Sequence, residues 1–467
     1  MGFTSVAFLG FFALVLLLYR SLRSHRLQNL LLLAASYLFY ASWDWRFLGL
    51  VVGLTLLDFG AALALERVEA RWRRGLLAGT VLLNLLPLVV FKYWDFGVES
   101  LAALLQVVGL GNDLRGLNVV LPVGISFFTF QSLSYVVDVH RGERAATRDF
   151  TSFALYIAYF PQLLAGPIER STSLLPQLQR PRLRPDGERV RSACSWILTG
   201  YFLKVVLADT LAPMVDHVFE NVGRSSGAVV LTAGYAFAIQ IFCDFAGYSL
   251  IARGLSRLLG IELMQNFRQP YLGRSMREVW SRWHISLTTW LRDYVYIPLG
   301  GGRRGRKYVN VLVTMGLCGL WHGAAWPMVI FGLLHGGYLV VGDLLRRGAR
   351  GAAWEARVPG FLQVLSVQLM WSLSLLVFRS QDVSQLREVF GRLLTSFAPV
   401  GDLGLYLRPT LTAWLVVMAY HLWQEHGRER LLSVRRSPFA RTCVASFLLL
   451  STVAVGFQEQ QFFYFQF

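Results

Sequence analysis

Long apolar runs, separated by short polar loops, repeat along most of the chain. A helix needs about 20 mainly apolar residues to cross a bilayer, and its backbone polar groups must be hydrogen-bonded within the segment. The runs therefore predict membrane helices rather than the amphipathic helices of a soluble domain. They place spans at residues 5–18, 27–40, 47–65 and 76–90 near the N-terminus, and at about 361–378, 411–422 and 444–455 near the C-terminus.

The loops between these runs alternate in character. Arginine-rich loops occur at 20–26, 67–74, 346–357 and 428–441, and aromatic loops occur at 43–45 and 92–94. Loops rich in Lys and Arg stay in the cytoplasm, whereas Trp and Tyr favour the membrane interface. The alternation predicts a multi-pass membrane protein whose two termini both lie outside the cytoplasm.

The middle of the chain carries polar and helix-breaking residues inside apolar sequence. Segment 160–169 contains Pro and Gly, and later apolar runs contain Lys204, Gln240 and Asp244. A broken helix at membrane depth requires protein or a water-filled cavity around its backbone. The polar side chains either join neighbouring helices or belong to a functional site. Further on, the amphipathic stretch 380–397 is expected to lie on the outer surface.

Composition agrees with a membrane protein. Hydrophobic residues make up 55% of the 467 residues and charged residues only 16%, against about 25% charged residues in a soluble domain. We find no internal repeat and no domain boundary. The sequence therefore predicts one all-α polytopic domain over 1–467, with roughly 11 to 13 transmembrane or re-entrant helices. Its parts are N-terminal spans at 1–118, a core at 119–345 and C-terminal spans at 346–467.

The net charge of +17 does not indicate a nucleic-acid partner. The basic residues lie in short loops, where they set topology and contact anionic lipid headgroups, so the bilayer is the expected partner. The four cysteines show no spacing typical of a metal site or a disulfide framework. We therefore expect no bound metal and no bound cofactor.

Two histidines stand out as candidate catalytic residues. His322 lies in Trp321-His322-Gly323 inside an apolar run, and His284 lies 38 residues upstream after Trp283. Histidine is the side chain best suited to accept a proton from a hydroxyl near neutral pH, and burial keeps its ring neutral. The alternative is a histidine that only hydrogen-bonds a neighbouring helix. His335 is expected to have such a structural role.

A glycine-rich loop follows the first histidine segment. Gly300 to Gly305 satisfies the dinucleotide-binding pattern G-x-G-x-x-G, but that pattern has meaning only between a strand and a helix. No βαβ unit is predicted here, so the loop is interpreted as a cytoplasmic turn whose basic residues fix topology. A second hypothesis is that these charges, Arg303, Arg304, Arg306 and Lys307, bind the phosphates of an acyl carrier.

The histidine segments resemble those of the membrane-bound O-acyltransferase (MBOAT) family, and the resemblance spans nearly the whole chain. Within the family it favours the bacterial branch that acetylates alginate over the branch that transfers D-alanine to teichoic acids. The residues that carry it are Asn29 to Tyr40, Leu121 to Phe127, Leu164 to Ile168, Asp244 to Ser249, Arg282 to Ser286, Tyr296 to Gly300, Leu320 to Gly323 and Phe463 to Phe467.

This resemblance implies that His322 is the essential histidine and His284 the second histidine of the bacterial branch. It also implies a location in the bacterial inner membrane and a thioester donor, such as acetyl-coenzyme A, that docks from the cytoplasm. The expected acceptor is a hydroxyl of an extracytoplasmic polysaccharide or relay protein. Around the histidines, substrate binding is assigned to Trp283, Trp321, Arg282, Arg292, Asp293 and Asp244. The tryptophans would exclude water, and the alternative is that they only pack.

Other functions remain open at this point. A D-alanyl or lipid O-acyltransferase would have the same catalytic centre and a different acyl group or acceptor. A transporter or channel would also explain polar residues at membrane depth, but the two corresponding halves typical of many transporters are not found.

Overall fold

The structure is a computed structural model of the chain. It describes residues 1–110, 114–163, 166–303, 305–347, 357–398, 403–426 and 438–456. In these ranges every regular element is a helix, which confirms the predicted all-α class.

Twenty α-helices are described in chain order. Their bounds are α1 Val6–Ser21, α2 His25–Asp44, α3 Leu48–Arg67, α4 Ala70–Leu88, α5 Trp94–Val107, α6 Ile125–Arg141, α7 Phe150–Ala158, α8 Phe160–Leu163, α9 Ser171–Gln179, α10 Gly187–Tyr201, α11 Asp209–Glu220, α12 Gly227–Leu258, α13 Met276–Arg282, α14 Ile285–Leu291, α15 Lys307–His322, α16 Trp326–Arg347, α17 Gly360–Arg379, α18 Val383–Thr395, α19 Leu403–His426 and α20 Pro438–Val455. Wider π-helical turns at Val89–Tyr93, Phe202–Ala208 and Arg292–Tyr296 connect several of them.

Six helical segments of the described chain are long and apolar enough to cross a membrane. Two of them, His25–Arg67 and Ala70–Val107, contain 43 and 38 residues, about twice the ~20 residues that one crossing needs. Helices α1 to α4 coincide with the four apolar runs predicted near the N-terminus. The chain is therefore a multi-pass helical membrane protein. In the amphipathic stretch 380–397, the structure places helix α18.

The residues cluster into two compact units. One unit consists of Met1–Ile197 and Ile251–Met264, and the other of Leu198–Leu250 and Gln265–Phe467. The three-part division of a single domain stays a prediction.

Buried polar contacts join the helices of the first unit. Asp58 of α3 accepts hydrogen bonds from Asn84 of α4, at 2.6 Å, and from Ser132 of α6. The described residues of the broken segment, 160–163 and 166–169, are buried, and the hydroxyl of Tyr156 donates to the carbonyl of Glu169. This contact supplies one of the hydrogen bonds that irregular backbone requires at membrane depth.

The second unit contains both candidate histidines. Helices α15 and α16 form an antiparallel pair around the turn at residues 323–325, and α17 packs against α16. His322 is the last residue of α15, while His284 lies between the short helices α13 and α14. All elements of the site described below belong to this unit.

Candidate active site

His284 has an unusual backbone conformation. Its φ of 40° and ψ of 54° lie in the left-handed region, which non-glycine residues seldom adopt. Asn266 holds the two residues that follow His284, because its carbonyl accepts from the backbone N–H of Ile285 at 2.9 Å and its Oδ1 accepts from Ser286 Oγ at 2.7 Å. Strained residues held so firmly are concentrated at functional sites.

The two candidate histidines lie next to each other. Their ring centroids are 6.4 Å apart, and the Trp321 ring lies 5.4 Å from His284 and 5.0 Å from His322. Phe245 of α12 covers His284 at 4.6 Å, and Phe378 of α17 covers His322 at 5.3 Å. His284 is fully buried and His322 is 4% exposed. The site is therefore a pair of imidazoles enclosed by aromatic rings.

Burial keeps His284 neutral. It lowers the pKa of the His284 imidazole well below its usual range, and the nearby His322 lowers this pKa further. A neutral imidazole has one N–H donor and one acceptor nitrogen. It can therefore donate a hydrogen bond to a developing oxyanion, or accept a proton, without first losing one.

Hydrogen bonds engage both ring nitrogens of His335. Trp280 Nε1 donates to Nδ1 at 3.3 Å, and Nε2 lies 2.9 Å from Ser374 Oγ. Because the Ser374 hydroxyl donates its proton to the carbonyl of Trp371, it must accept from His335 Nε2–H. These bonds fix one neutral tautomer of His335. They give its side chain a structural role, because they link α16 to α13 and α17.

Glycines allow α15 and α16 to pack closely just before His322. A Cβ atom built on Gly319 would overlap the carbonyl oxygen of Met328, and one built on Gly332 would overlap that of Met315. Backbone atoms cannot rotate away as side chains do, so only glycine fits at either position. The position of His322 therefore depends on this backbone contact.

Replacing Gly332 with Ala should destabilise the α15–α16 pair by about 1–3 kcal/mol, the usual effect of an added methyl group in a packed core. It should also lower the activity of the inserted protein, because a shift of about 1 Å at a catalytic group reduces the rate by up to about 100-fold. Gly337 on the same helix is the matched control, since a Cβ there meets nothing within 4 Å. Thermal unfolding in detergent checks the prediction, and equal stability of the two variants would contradict it.

A cavity of about 470 Å³ runs along one face of α15. Lys307, Val311, Thr314, Met315 and Cys318 line it, with a helical spacing of three or four residues. Cys318 precedes His322 by one turn, about 6 Å along the axis at 1.5 Å per residue. The opposite wall includes residues from Trp280 to Arg292, among them Ile285, the neighbour of His284.

Polar residues concentrate at the Lys307 end of this cavity. Arg277, Lys307 and Asp343 line it there, and Asp343 lies 3.0 Å from Arg277 Nη2 and 2.7 Å from Lys307 Nζ. Towards Cys318 the lining is mainly apolar. An elongated ligand with a charged head and an apolar tail fits this distribution.

The other assigned binding residues occupy different environments. Trp283 and Trp321 are buried, Arg282 pairs with Glu278 and Glu425, and Arg292 lines the cavity and pairs with Asp293. Asp244 pairs with Lys204. Arg303 is exposed and is not among the cavity-lining residues, and Arg304 lies outside the described residues.

Several residues of the site had no signal in the sequence. Asn266, Arg277 and Asp343 are unremarkable polar residues in the sequence, and they gain importance only from their contacts in three dimensions. The part of the chain that the structure describes contains no group of three or more His, Cys, Asp or Glu side chains able to hold a metal ion.

Comparisons with known proteins identify the family of the chain. The model of the MBOAT, membrane-bound O-acyltransferase family covers residues 32–378, which include both histidines. The chain is 37% identical to the probable alginate O-acetylase AlgI of Azotobacter vinelandii, over 92% of this chain and 86% of that protein. It is 31% identical to the peptidoglycan O-acetyltransferase of Helicobacter pylori, over 72% and 67% of the two chains. It is 29% identical to the teichoic acid D-alanyltransferase of Streptococcus thermophilus, over 54% and 64%.

The helical architecture agrees with these matches. The family model covers well over half of the chain, and two of the relatives named above are more than 30% identical to it. The chain therefore belongs to the membrane-bound O-acyltransferase family and is a multi-pass membrane enzyme that transfers acyl groups.

Proposed function

We propose that the protein transfers an acetyl group from a cytoplasmic thioester to a hydroxyl of an extracytoplasmic polysaccharide, directly or through a relay protein. The observation that supports this most is the cavity, which follows α15 from a charged end to the turn before His322. The relatives named as alginate and peptidoglycan acetylating proteins favour acetyl as the acyl group and a polysaccharide as the acceptor.

In this proposal His322 is the general base. Its ring accepts the proton of the acceptor hydroxyl as the oxygen attacks the thioester carbonyl, which forms the new C–O bond. His284, held neutral by burial, donates a hydrogen bond to the oxyanion. When the C–S bond breaks, the imidazolium of His322 returns the proton to the leaving thiolate. The products are the O-acyl ester and a free thiol.

The aromatic rings around the histidines serve to exclude water. Trp283 and Trp321 are 2% and 4% exposed, and Phe245 and Phe378 cover the two imidazoles. Water in such a site would hydrolyse the thioester instead of allowing transfer. Arg292, at the wall of the cavity, is the remaining assigned residue that can contact the donor. Arg282 and Asp244 are not among the residues that line the cavity, so their role would be to support the site through their ion pairs.

The acyl group is tested by mild alkaline hydrolysis of polysaccharide from cells that produce or lack this chain. Ester-linked acetyl groups are released as acetate, and the amount should fall to background without the chain. Release of D-alanine instead would favour D-alanyl transfer, the activity in the name of the relative from Streptococcus thermophilus. An unchanged acetate content would contradict the proposal.

We further propose that both termini are extracytoplasmic and that arginine-rich loops lie in the cytoplasm of a bacterial cell. In a variant whose native cysteines are replaced, Cys at position 73 or 347 should react with a membrane-impermeant thiol reagent only after the membrane is permeabilised. Cys at position 45, where Trp45 is 74% exposed in an aromatic loop, should react in intact spheroplasts. Labelling of position 73 from outside would contradict this topology.

A further inference from the structure

One carboxylate binds three cations at the charged end of the cavity. Asp343 of α16 lies 3.0 Å from Arg277 Nη2, 2.7 Å from Lys307 Nζ and 3.0 Å from Arg347 Nε, and it accepts a hydrogen bond from the Tyr308 hydroxyl at 3.2 Å. We call these five residues the mouth cluster. Three helices contribute to it, namely α13, α15 and α16.

The carboxylate lies deeper than the cations that surround it. The side chain of Asp343 is 13% exposed, whereas those of Arg277 and Arg347 are 58% and 62% exposed and that of Lys307 is 27% exposed. Three positive charges and one negative charge leave the mouth cluster with a net charge of +2. A guanidinium has five N–H donors and an ammonium three, which exceeds what one carboxylate can accept. The cluster can therefore bind a second anion.

The length of α15 restricts which kind of donor molecule can carry that anionic group. Lys307 begins the helix and His322 ends it, so about 22 Å of helix separates the mouth cluster from the candidate base, at 1.5 Å per residue. A donor that contacts both must carry its anionic group and its thioester at opposite ends of a long, thin arm. A phosphopantetheine thioester has this form, whether it belongs to coenzyme A or to an acyl carrier protein.

We infer that Asp343 competes with the donor phosphate for Arg277 and Lys307, and so sets how tightly phosphate-bearing donors bind. This inference rests on the proposed acyl transfer. The carboxylate lies on the same cations that would contact the phosphate, and two anions so close repel each other. Asp343 therefore holds the cations together and at the same time weakens the affinity of the site for a phosphate. Such a donor can leave again once its acyl group has been transferred.

Substitutions that raise or lower the net charge of the mouth cluster should shift KM for phosphate-bearing donors in opposite directions. Asp343→Asn raises the net charge of the mouth cluster to +3, and Arg277→Gln lowers it to +1. Initial rates of acetyl transfer are measured with acetyl-pantetheine, which lacks the phosphate, and with acetyl-4′-phosphopantetheine, which has it. Acetyl-coenzyme A and an acetylated acyl carrier protein are tested in parallel to identify the source of the arm. Arg387→Gln, an exposed charge on α18, is the control.

For the phosphate-bearing donors, Asp343→Asn should lower KM by about three- to tenfold, and Arg277→Gln should raise it by a similar factor. Neither should change KM for acetyl-pantetheine, and kcat should stay close to wild type. A purely structural role for the mouth cluster would instead lower kcat or protein stability with every donor, which would overturn the inference. The same would follow if the two variants shifted KM in the same direction. Failure of the wild-type protein to use any of the four donors would refute the proposed function, and the inference with it.

Discussion

Replacing His322 with Ala should lower acyl transfer by about 100- to 10,000-fold, the usual contribution of a general base. His322 lies at the end of α15, 6.4 Å from the ring of His284 and one turn beyond the cavity. The variant should still insert and fold, because hydrogen bonds of a neutral imidazole stabilise a protein by only about 1 kcal/mol each. The measurement is acyl incorporation per amount of membrane-inserted protein.

Two other histidine variants complete this experiment. His284→Ala should also reduce transfer, but less, if its ring only orients the donor or binds the oxyanion. His335→Ala should remove the hydrogen bonds to Trp280 and Ser374 and lower stability, while the rate per inserted protein stays near wild type. A His322→Ala protein with wild-type transfer would remove the basis for the proposed mechanism.

Replacing Lys204 with Met should destabilise the protein by about 3–5 kcal/mol, the cost of leaving buried charges without their partner. Lys204 Nζ lies 2.6 Å from Asp209 Oδ1 and 2.8 Å from Asp244 Oδ1, and all three side chains are less than 5% exposed. Asp244 immediately precedes Phe245, whose ring covers His284. Loss of the lysine should therefore also disturb the catalytic pair.

The charge change can be separated from the change in shape. Adding Asp209→Asn and Asp244→Asn to Lys204→Met removes the uncompensated carboxylates, so much of the lost stability should return. Arg71→Met is the control, since Arg71 and Glu69 form an ion pair with both side chains at least 70% exposed, and such pairs contribute about 0–1 kcal/mol. Thermal unfolding in detergent is the measurement. Equal unfolding temperatures for Lys204→Met and Arg71→Met would show that the buried cluster contributes little.

The helices could be predicted from the sequence because lipid imposes a simple rule. A segment that spans the bilayer must be apolar over its length and must satisfy its own backbone hydrogen bonds. The apolar runs therefore located α1 to α4, with ends that differ from the observed ones by at most six residues. Loop residues have no comparable constraint.

The site was predictable only in part. His284 and His322 were identified from their apolar surroundings and from family resemblance, but their separation depends on the left-handed turn at His284. Lys204 was noticed as a charge in an apolar run. Lys204 lies within the π-helical turn Phe202–Ala208, and its partner Asp209 directly follows that turn.

The charged end of the cavity shows why contacts between residues far apart in the chain cannot be predicted from sequence patterns. Asp343 and Arg277 are separated by 66 residues, and neither lies in a recognisable motif. The phosphate-binding hypothesis therefore covered the charges of the most conspicuously basic loop, namely Arg303, Arg304, Arg306 and Lys307. Lys307 does line the cavity, together with Arg277, which the hypothesis did not include, whereas Arg303 and Arg306 are not among the lining residues.

Transfer across a sealed membrane tests the central claim most directly. The purified protein is reconstituted in vesicles and sorted by orientation, with the acceptor polysaccharide and an extracytoplasmic relay protein enclosed. A donor labelled in its acetyl group is added outside, where it can reach only cytoplasmic faces. We predict ester-linked label inside the vesicles with wild-type protein, and only background with His322→Ala. If the wild-type protein produced no ester-linked label inside the vesicles, or if both proteins produced equal amounts of it, a histidine-catalysed O-acyl transfer across the bilayer would be contradicted.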